Sequence, residues 1–164
     1  RMSEDLAQRH GVPFSRSAVG EANVVDQMLK IEAVIGGEGN GGVIDPEVGL
    51  VRDSFIGMAY LLEAMITRQM SIHDLAAEIP RYEMSKRKLN FPVDRLQEGQ
   101  DAVRKHFGDA RASEPDGLRL DWEDRWLLLR ASNTEPVIRI MSEAINQKQA
   151  DRLCHEAEEV LLHL

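Results

Sequence analysis

The spacing of apolar residues changes along the chain, and the change divides it. In the first half the helical period dominates. Residues 3–10 read as a helix closed by Gly11, and in residues 21–30 Val24, Val25, Met28 and Leu29 gather on one side, as a helix packed along one face requires. Residues 53–68 carry the broadest stripe, with Phe55, Ile56, Met58, Ala59, Leu62, Met65 and Ile66 turned inward and Asp53 set where its charge suits the helix dipole. Met58, Met65 and Met70 read as core filler. Ser71, with Asp74 three positions on, predicts a capping box opening a short helix. Residues 12–16 and 31–35 read as short strands between the helices. Helix and strand in alternation suggest a βαβ-type layer with a partly parallel sheet.

Beyond Pro80 the period shortens. Residues 81–91 carry Lys86, Arg87 and Lys88 and read as a solvated or edge strand. Pro92-Val93-Asp94 opens a helix that runs to Phe107, with Leu96, Val103 and Phe107 on one face and Gly108 as its stop. Pro115-Asp116-Gly117 turns into an alternating strand over 118–122. Glu123-Asp124 turns that strand into the apolar run beginning at Trp126. Residues 137–141 alternate again. Residues 146–164 form an amphipathic helix with Ala150, Leu153, Ala157, Val160 and Leu161 inward. The expected fold is an α/β partial domain over 1–78, an incomplete mixed sheet with helices, followed by a small α+β domain over 79–164. The latter is a four-stranded antiparallel sheet with two helices on one face.

Composition narrows the chemistry. The 164 residues are 43% hydrophobic and 29% charged, as in soluble globular proteins. A net charge of −8 disfavours non-specific binding to nucleic acid or an anionic membrane, so an anionic ligand must be captured by a local basic cluster. The single cysteine, Cys154, precludes an internal disulfide and fits a reducing, cytoplasmic setting. Its place on an apolar helix face makes it a core residue rather than a nucleophile. No apolar run reaches the ~20 residues of a membrane span. His73 has no second His, Cys or paired carboxylate in register, which is weak support for a metal.

Two polar stretches stand out. Arg130-Ala131-Ser132-Asn133-Thr134-Glu135-Pro136 lies between two strand-like runs and gathers a guanidinium, two hydroxyls, an amide and successive backbone N–H groups, the donors that hold a phosphate. Arg139 adds a second cation. The same residues also suit an ordinary turn. Gly36-Gly37-Glu38-Gly39-Asn40-Gly41-Gly42 formally contains the G-x-G-x-x-G of a dinucleotide site, but a Rossmann loop opens directly into a helix, and here Pro46 and Gly49 intervene. Two readings stay open: a flexible turn, and a loop of small residues against which a sugar approaches while Glu38 and Asn40 meet its hydroxyls.

Residues 130–139 resemble the phosphate-binding loop in the last domain of the α-D-phosphohexomutase superfamily, which includes phosphomannomutase, phosphoglucomutase and phosphoglucosamine mutase. Residues 36–44 resemble the sugar-binding loop of the third domain of those enzymes. Many members read Gly-Glu-x-Ser-Gly-His there, so Asn40 stands in the place of serine and Gly42 in that of histidine. The form seen here is closer to the archaeal-type phosphomannomutase and phosphoglucosamine mutase branch. Val19-Gly20-Glu21 falls where some relatives have a Gly-His pair, which leaves Glu21 open to ligand contact or to a helix-start role.

The resemblance implies the C-terminal part of an enzyme that interconverts hexose 1-phosphate and 6-phosphate, of glucosamine, mannose or glucose. The route runs through a phosphoserine and a hexose 1,6-bisphosphate intermediate, with Mg²⁺ in the intact enzyme. By that resemblance Arg130, Ser132, Asn133, Thr134 and Arg139 hold the substrate phosphate, and Glu38 and Asn40 hold sugar hydroxyls. The family's serine segment and its Asp-Gly-Asp-x-Asp-Arg metal motif are not found in the sequence, so the chain is expected to be inactive alone, to carry no metal ligand, and to work with N-terminal domains of the same protein. The competing reading is a stand-alone, non-catalytic phosphosugar-binding or regulatory module.

Overall fold

A computed structural model describes residues 1–164 apart from Asn40, Pro115, Asn133, Thr134 and Pro136. The described residues form two units, Glu4–Pro80 and Arg81–Leu164, with Arg1–Ser3 grouped with the second.

Helices dominate the first unit: α1 (Met2–Arg9), α2 (Glu21–Ile31), α3 (Ser54–Arg68) and α4 (Ile72–Ala77), with a hairpin of β1 (Gly36–Gly37) and β2 (Val43–Ile44) between α2 and α3. Gly11 closes α1 as its sequence position predicts. The Gly11 N–H donates to Gln8 O and the Val12 N–H to Ala7 O, which satisfies the last carbonyls of the helix. Asp53 caps α3, its carboxylate accepting from the N–H groups of Phe55 and Ile56. The Ser71–Asp74 capping box is present in full at the start of α4.

The sheet of this unit is smaller than the sequence pattern suggests. Residues 12–16 form no strand, and α2 runs on through Ile31 until Glu32, in the left-handed conformation at φ 53°, ends it. Pairing starts only at Gly36, and it is antiparallel. A run such as Ala33-Val34-Ile35 becomes a strand only beside a partner. Among the described residues none lies there, and Val34 is 84% exposed. The apolar stripe of α3 is likewise uncovered: no residue of α3 is buried, and Met58, expected in the core, is exposed.

In the second unit the hydrophobic pattern closes on itself. Five strands, β3 (Glu83–Leu89), β4 (Arg111–Ser113), β5 (Leu118–Asp121), β6 (Trp126–Ala131) and β7 (Ile138–Ala144), form an antiparallel sheet in the order β3-β7-β6-β5-β4. That is one strand more than the four expected; β4 is three exposed residues long and shows no alternation to announce it. One sheet face carries Leu118, Leu120, Leu127, Leu129, Ile138 and Ile140, which join Val103 and Phe107 from the helix α5 (Leu96–His106) and its end, and Leu153, Cys154, Ala157 and Leu161 from α6 (Gln147–Leu162), in a single core. Each of the Val, Leu, Ile and Phe side chains, fully buried, contributes about 1.5–3 kcal/mol. Successive strand residues point to opposite faces, so this register sends Arg130, Arg139 and Lys88 to the face away from the core.

Candidate functional site

The β6–β7 connection is the loop 132–137. Its base is closed by the Ser132 N–H donating to Val137 O at 2.9 Å. On the last rung but one of the ladder Arg130 stands opposite Arg139, and Arg139 stands opposite Lys88 on β3. Three cations from three neighbouring strands therefore share one level of the sheet. Cross-strand neighbours have Cβ atoms about 5 Å apart, so the row repels itself unless anions offset it.

The protein supplies two partial counter-charges. Asp116 Oδ2 lies 3.7 Å from Arg130 Nη1, longer than a hydrogen bond, and the Nε atoms of both Arg130 and Arg139 are buried without a partner among the described residues. Glu135 Oε2 lies 2.7 Å from Lys88 Nζ and 4.0 Å from Arg139 Nη2. The Lys88 hydrogen bond, then the Lys88 charge, holds the Glu135 carboxyl below its ordinary pKa, against some desolvation and with help from Arg139. The Arg130 side chain keeps 11% of its exposure and points away from the hydrophobic core. Arg119, on the same face of β5, is different: its guanidinium is bidentate to Asp121 through Nε and Nη2 at 2.8 Å and stacks on the Trp126 ring at 4.4 Å.

Two residues given no part in the site from the sequence, Gly117 of the expected turn and Gln100, fix the position of Arg130. Gly117 has φ +82°, and a Cβ there would fall 2.5 Å from Leu129 O and 2.7 Å from Arg130 Cβ, so only glycine lets the turn pass this close to the strand. Gln100, buried on α5, donates from Nε2 to Leu129 O at 3.2 Å and ties the end of β6 to the helix layer. Gln100 does fall in register with Leu96, Val103 and Phe107, and a polar side chain on an apolar stripe is the sequence signal that was there to read. Asn133 and Thr134 lie outside the described residues.

In the first unit the glycine stretch forms the tip of the β1–β2 hairpin rather than the start of a helix, and this geometry removes the dinucleotide reading. Gly41 and Gly42 take φ +93° and +88°, and a Cβ on Gly42 would press on the Arg52 side chain at 3.0 Å. Glu38 accepts from the Gly20 N–H at 3.0 Å and faces Arg52 Nη1 at 3.8 Å, while Arg52 Nε binds Glu21 at 2.5 Å. The Glu21 hydrogen bond and charge raise the Arg52 pKa further above its ordinary value. Glu21 is thus the first residue of α2 and an ion-pair partner, and Arg52 is the residue that sequence reasoning missed: it bridges the helix start to the loop. Asn40 lies outside the described residues. His73 is exposed. A groove of about 640 Å³ in this unit is lined by Met28, Ile35, Asp45 and Tyr60 among others and does not include Glu38.

Residues 1–82 match the family description "Phosphoglucomutase/phosphomannomutase, alpha/beta/alpha domain III", and residues 89–160 match "Phosphoglucomutase/phosphomannomutase, C-terminal domain". The chain belongs to the phosphoglucomutase/phosphomannomutase family. A protein named probable phosphoglucosamine mutase from Pyrococcus abyssi is 33% identical over 96% of this chain and 36% of its own length. A phosphoglucomutase/phosphomannomutase of Thermococcus kodakarensis is 34% identical over 90% and 32%. The chain spans about a third of the length of these relatives. Among solved structures, a phosphoglucomutase/phosphomannomutase family protein from Burkholderia thailandensis superposes with a TM-score of 0.79 at 24% identity, covering 98% of this chain and 35% of that one. The Aspergillus fumigatus N-acetylphosphoglucosamine mutase, solved with GlcNAc-6P and magnesium, shares the fold at a TM-score of 0.64 and 12% identity, over 96% of this chain and 38% of that one.

For this member of the family the donor set decides what the loops can hold. Among the described residues no three His, Cys, Asp or Glu side chains gather around a point that would suit a metal ion. The described residues of this chain do not by themselves make a magnesium site. The Arg130–Arg139 row, by contrast, offers planar forks suited to a tetrahedral oxyanion. No helix among the described residues is long and apolar enough to cross a membrane.

Proposed function

We propose that this chain is the C-terminal portion of a phosphohexomutase that interconverts hexose 1-phosphate and 6-phosphate, and that it supplies the grip on the phosphate not undergoing reaction. The observation that carries the reading is the opposed Arg130–Arg139 pair beside a loop rich in donors, in a chain whose relatives are named as phosphosugar mutases. Arg130 and Arg139 would clamp the ester oxyanion while Ser132, Asn133 and Thr134 offer hydroxyl, amide and backbone donors. Glu38 and Asn40 would meet sugar hydroxyls. A remote clamp aids such a reaction by positioning: the same phosphosugar must be held in two orientations through a bisphosphorylated intermediate, so binding energy far from the reacting oxygen fixes the end that reacts. The serine that carries the phosphoryl group, and the magnesium that offsets its charge, belong in this reading to N-terminal domains of the intact protein. The intact protein is proposed to act in the cytoplasm.

Calorimetric titration of the intact protein with a hexose 6-phosphate tests this. Arg130→Ala is expected to weaken binding by about tenfold or more, the worth of a charge-assisted pair of hydrogen bonds. Unchanged affinity rejects the assignment. The chain by itself is expected to show no mutase turnover. Full-strength binding of a phosphosugar by the chain alone would point instead to a stand-alone binding or regulatory module.

A further inference from the structure

We infer that Lys88 is a positioning residue for the phosphate loop: by holding the Glu135 carboxylate it keeps that charge off Arg139 and leaves the Arg130–Arg139 pair open to a phosphate. The inference rests on the phosphate reading of the loop.

Glu135 belongs to the loop itself, so the loop brings its own anion to the cationic row. A carboxylate beside Arg139 competes with a phosphate for the same donors and repels it as well. The distances show how the competition is divided. Glu135 Oε2 is at hydrogen-bond length from Lys88 Nζ, 2.7 Å, and at 4.0 Å from Arg139 Nη2, the outer limit of an ion pair. Arg139 Nε is buried and has no partner among the described residues. The register explains the division. Lys88 and Arg139 face each other across β3 and β7, so one carboxylate can reach both cations but bond well to only one. Lys88 is the more exposed of the two at 59%, against 34% for Arg139, so the carboxylate is drawn toward solvent and the less accessible guanidinium stays available. Without Lys88, Glu135 would take the vacant guanidinium edge and stand where the phosphate oxygens bind.

Lys88→Ala, Lys88→Arg, Glu135→Gln, the double variant Lys88→Ala/Glu135→Gln and Arg130→Ala are compared in the intact protein by titration with a hexose 6-phosphate. Circular dichroism checks that each variant is folded. Lys88→Ala is expected to weaken binding by about fivefold, the upper range for an exposed ion pair, and to raise KM with little change in kcat. Lys88→Arg retains affinity. The double variant recovers to within about twofold of the wild-type protein, because removing the competing carboxylate makes its holder unnecessary. Unchanged affinity in Lys88→Ala overturns the inference and leaves Lys88 a surface charge. A double variant as weak as Lys88→Ala also overturns it, since Lys88 would then touch the phosphate itself. If Arg130→Ala binds normally, the phosphate reading fails; if Arg130→Ala is weakened and Lys88→Ala is not, only the role of Lys88 fails.

Discussion

Arg130 and Arg139 face each other directly across β6 and β7, two like charges on one rung of an antiparallel ladder. Such a pair costs stability, of the order of 0.2–1 kcal/mol, in the absence of an anion. Arg139→Gln should therefore leave the ligand-free protein as stable as before or slightly more so in urea denaturation, while reducing the rise in Tm that a hexose phosphate produces. A loss of stability without ligand greater than about 1 kcal/mol would mean that the guanidinium packs more than it repels.

Gly117 is the second point at which the loop depends on backbone geometry. Gly117→Ala puts a Cβ into Leu129 O and Arg130 Cβ at a left-handed φ of 82°, so both strain and collision apply. The expected cost is about 1–3 kcal/mol in chemical denaturation, with phosphosugar affinity falling as well because β6 must yield where Arg130 leaves it. Gly39→Ala is the control: nothing lies within 4 Å of a Cβ there, and stability should hardly change.

Cys154 gives a pH prediction. Burial raises its thiol pKa, opposed by hydrogen bonding with Ser142 and Ser85, and Ser142 Oγ lies 3.2 Å from its sulfur. The folded state therefore binds the proton more tightly than the unfolded one. This contribution to stability is complete below the ordinary thiol pKa of about 8.5 and declines as pH rises above it toward the folded value. Urea midpoints of the wild-type protein and Cys154→Ala measured from pH 7 to 10 should show a steeper decline in the protein that keeps the thiol. A thiol reagent should react only on unfolding.

Hydrogen exchange should separate the two units. Amides of β6, β7 and α6 surround side chains that are wholly buried, such as Leu129, Ile138, Ile140 and Ala157, and should exchange through global unfolding. In α3, Phe55 is 79% and Ile66 77% exposed and no residue is buried, so its amides should exchange through local opening, faster by orders of magnitude. Equal protection in the two regions would contradict this division.

The parts of the fold legible in the sequence are those whose cause is local. Ser71 and Asp74 announce a capping box because the box is made within four residues. The Trp126 and Ile138 strands are plain because seven polar or turn-forming residues interrupt two apolar runs. What the sequence could not show depends on a distant neighbour. Ala33-Val34-Ile35 has strand composition but, among the described residues, no strand beside it, and Arg111–Ser113 lacks strand composition yet pairs with β5. The candidate site divides in the same way. Arg130, Ser132 and Arg139 stand out in a contiguous stretch. Lys88 opposite Arg139, Gln100 on Leu129 O and Arg52 between Glu21 and Glu38 are products of register and packing over long separations. Lys88 was visible only as one member of a basic run, in which its neighbour Arg87 turns out to face α6 and bind Glu158 at 2.5 Å.

The outer strand of the five-stranded sheet alternates between the two roles that a rail must fill. Arg87 and Leu89 turn toward the helix layer, while Lys86 and Lys88 stud the opposite side with ammonium groups. A neighbouring molecule that tried to add its own strand there would have to bring its backbone alongside those charges, and the far margin, β4, offers only three residues to pair with. The positive charge proposed to receive a small anion would therefore also guard this domain against self-templated polymerisation.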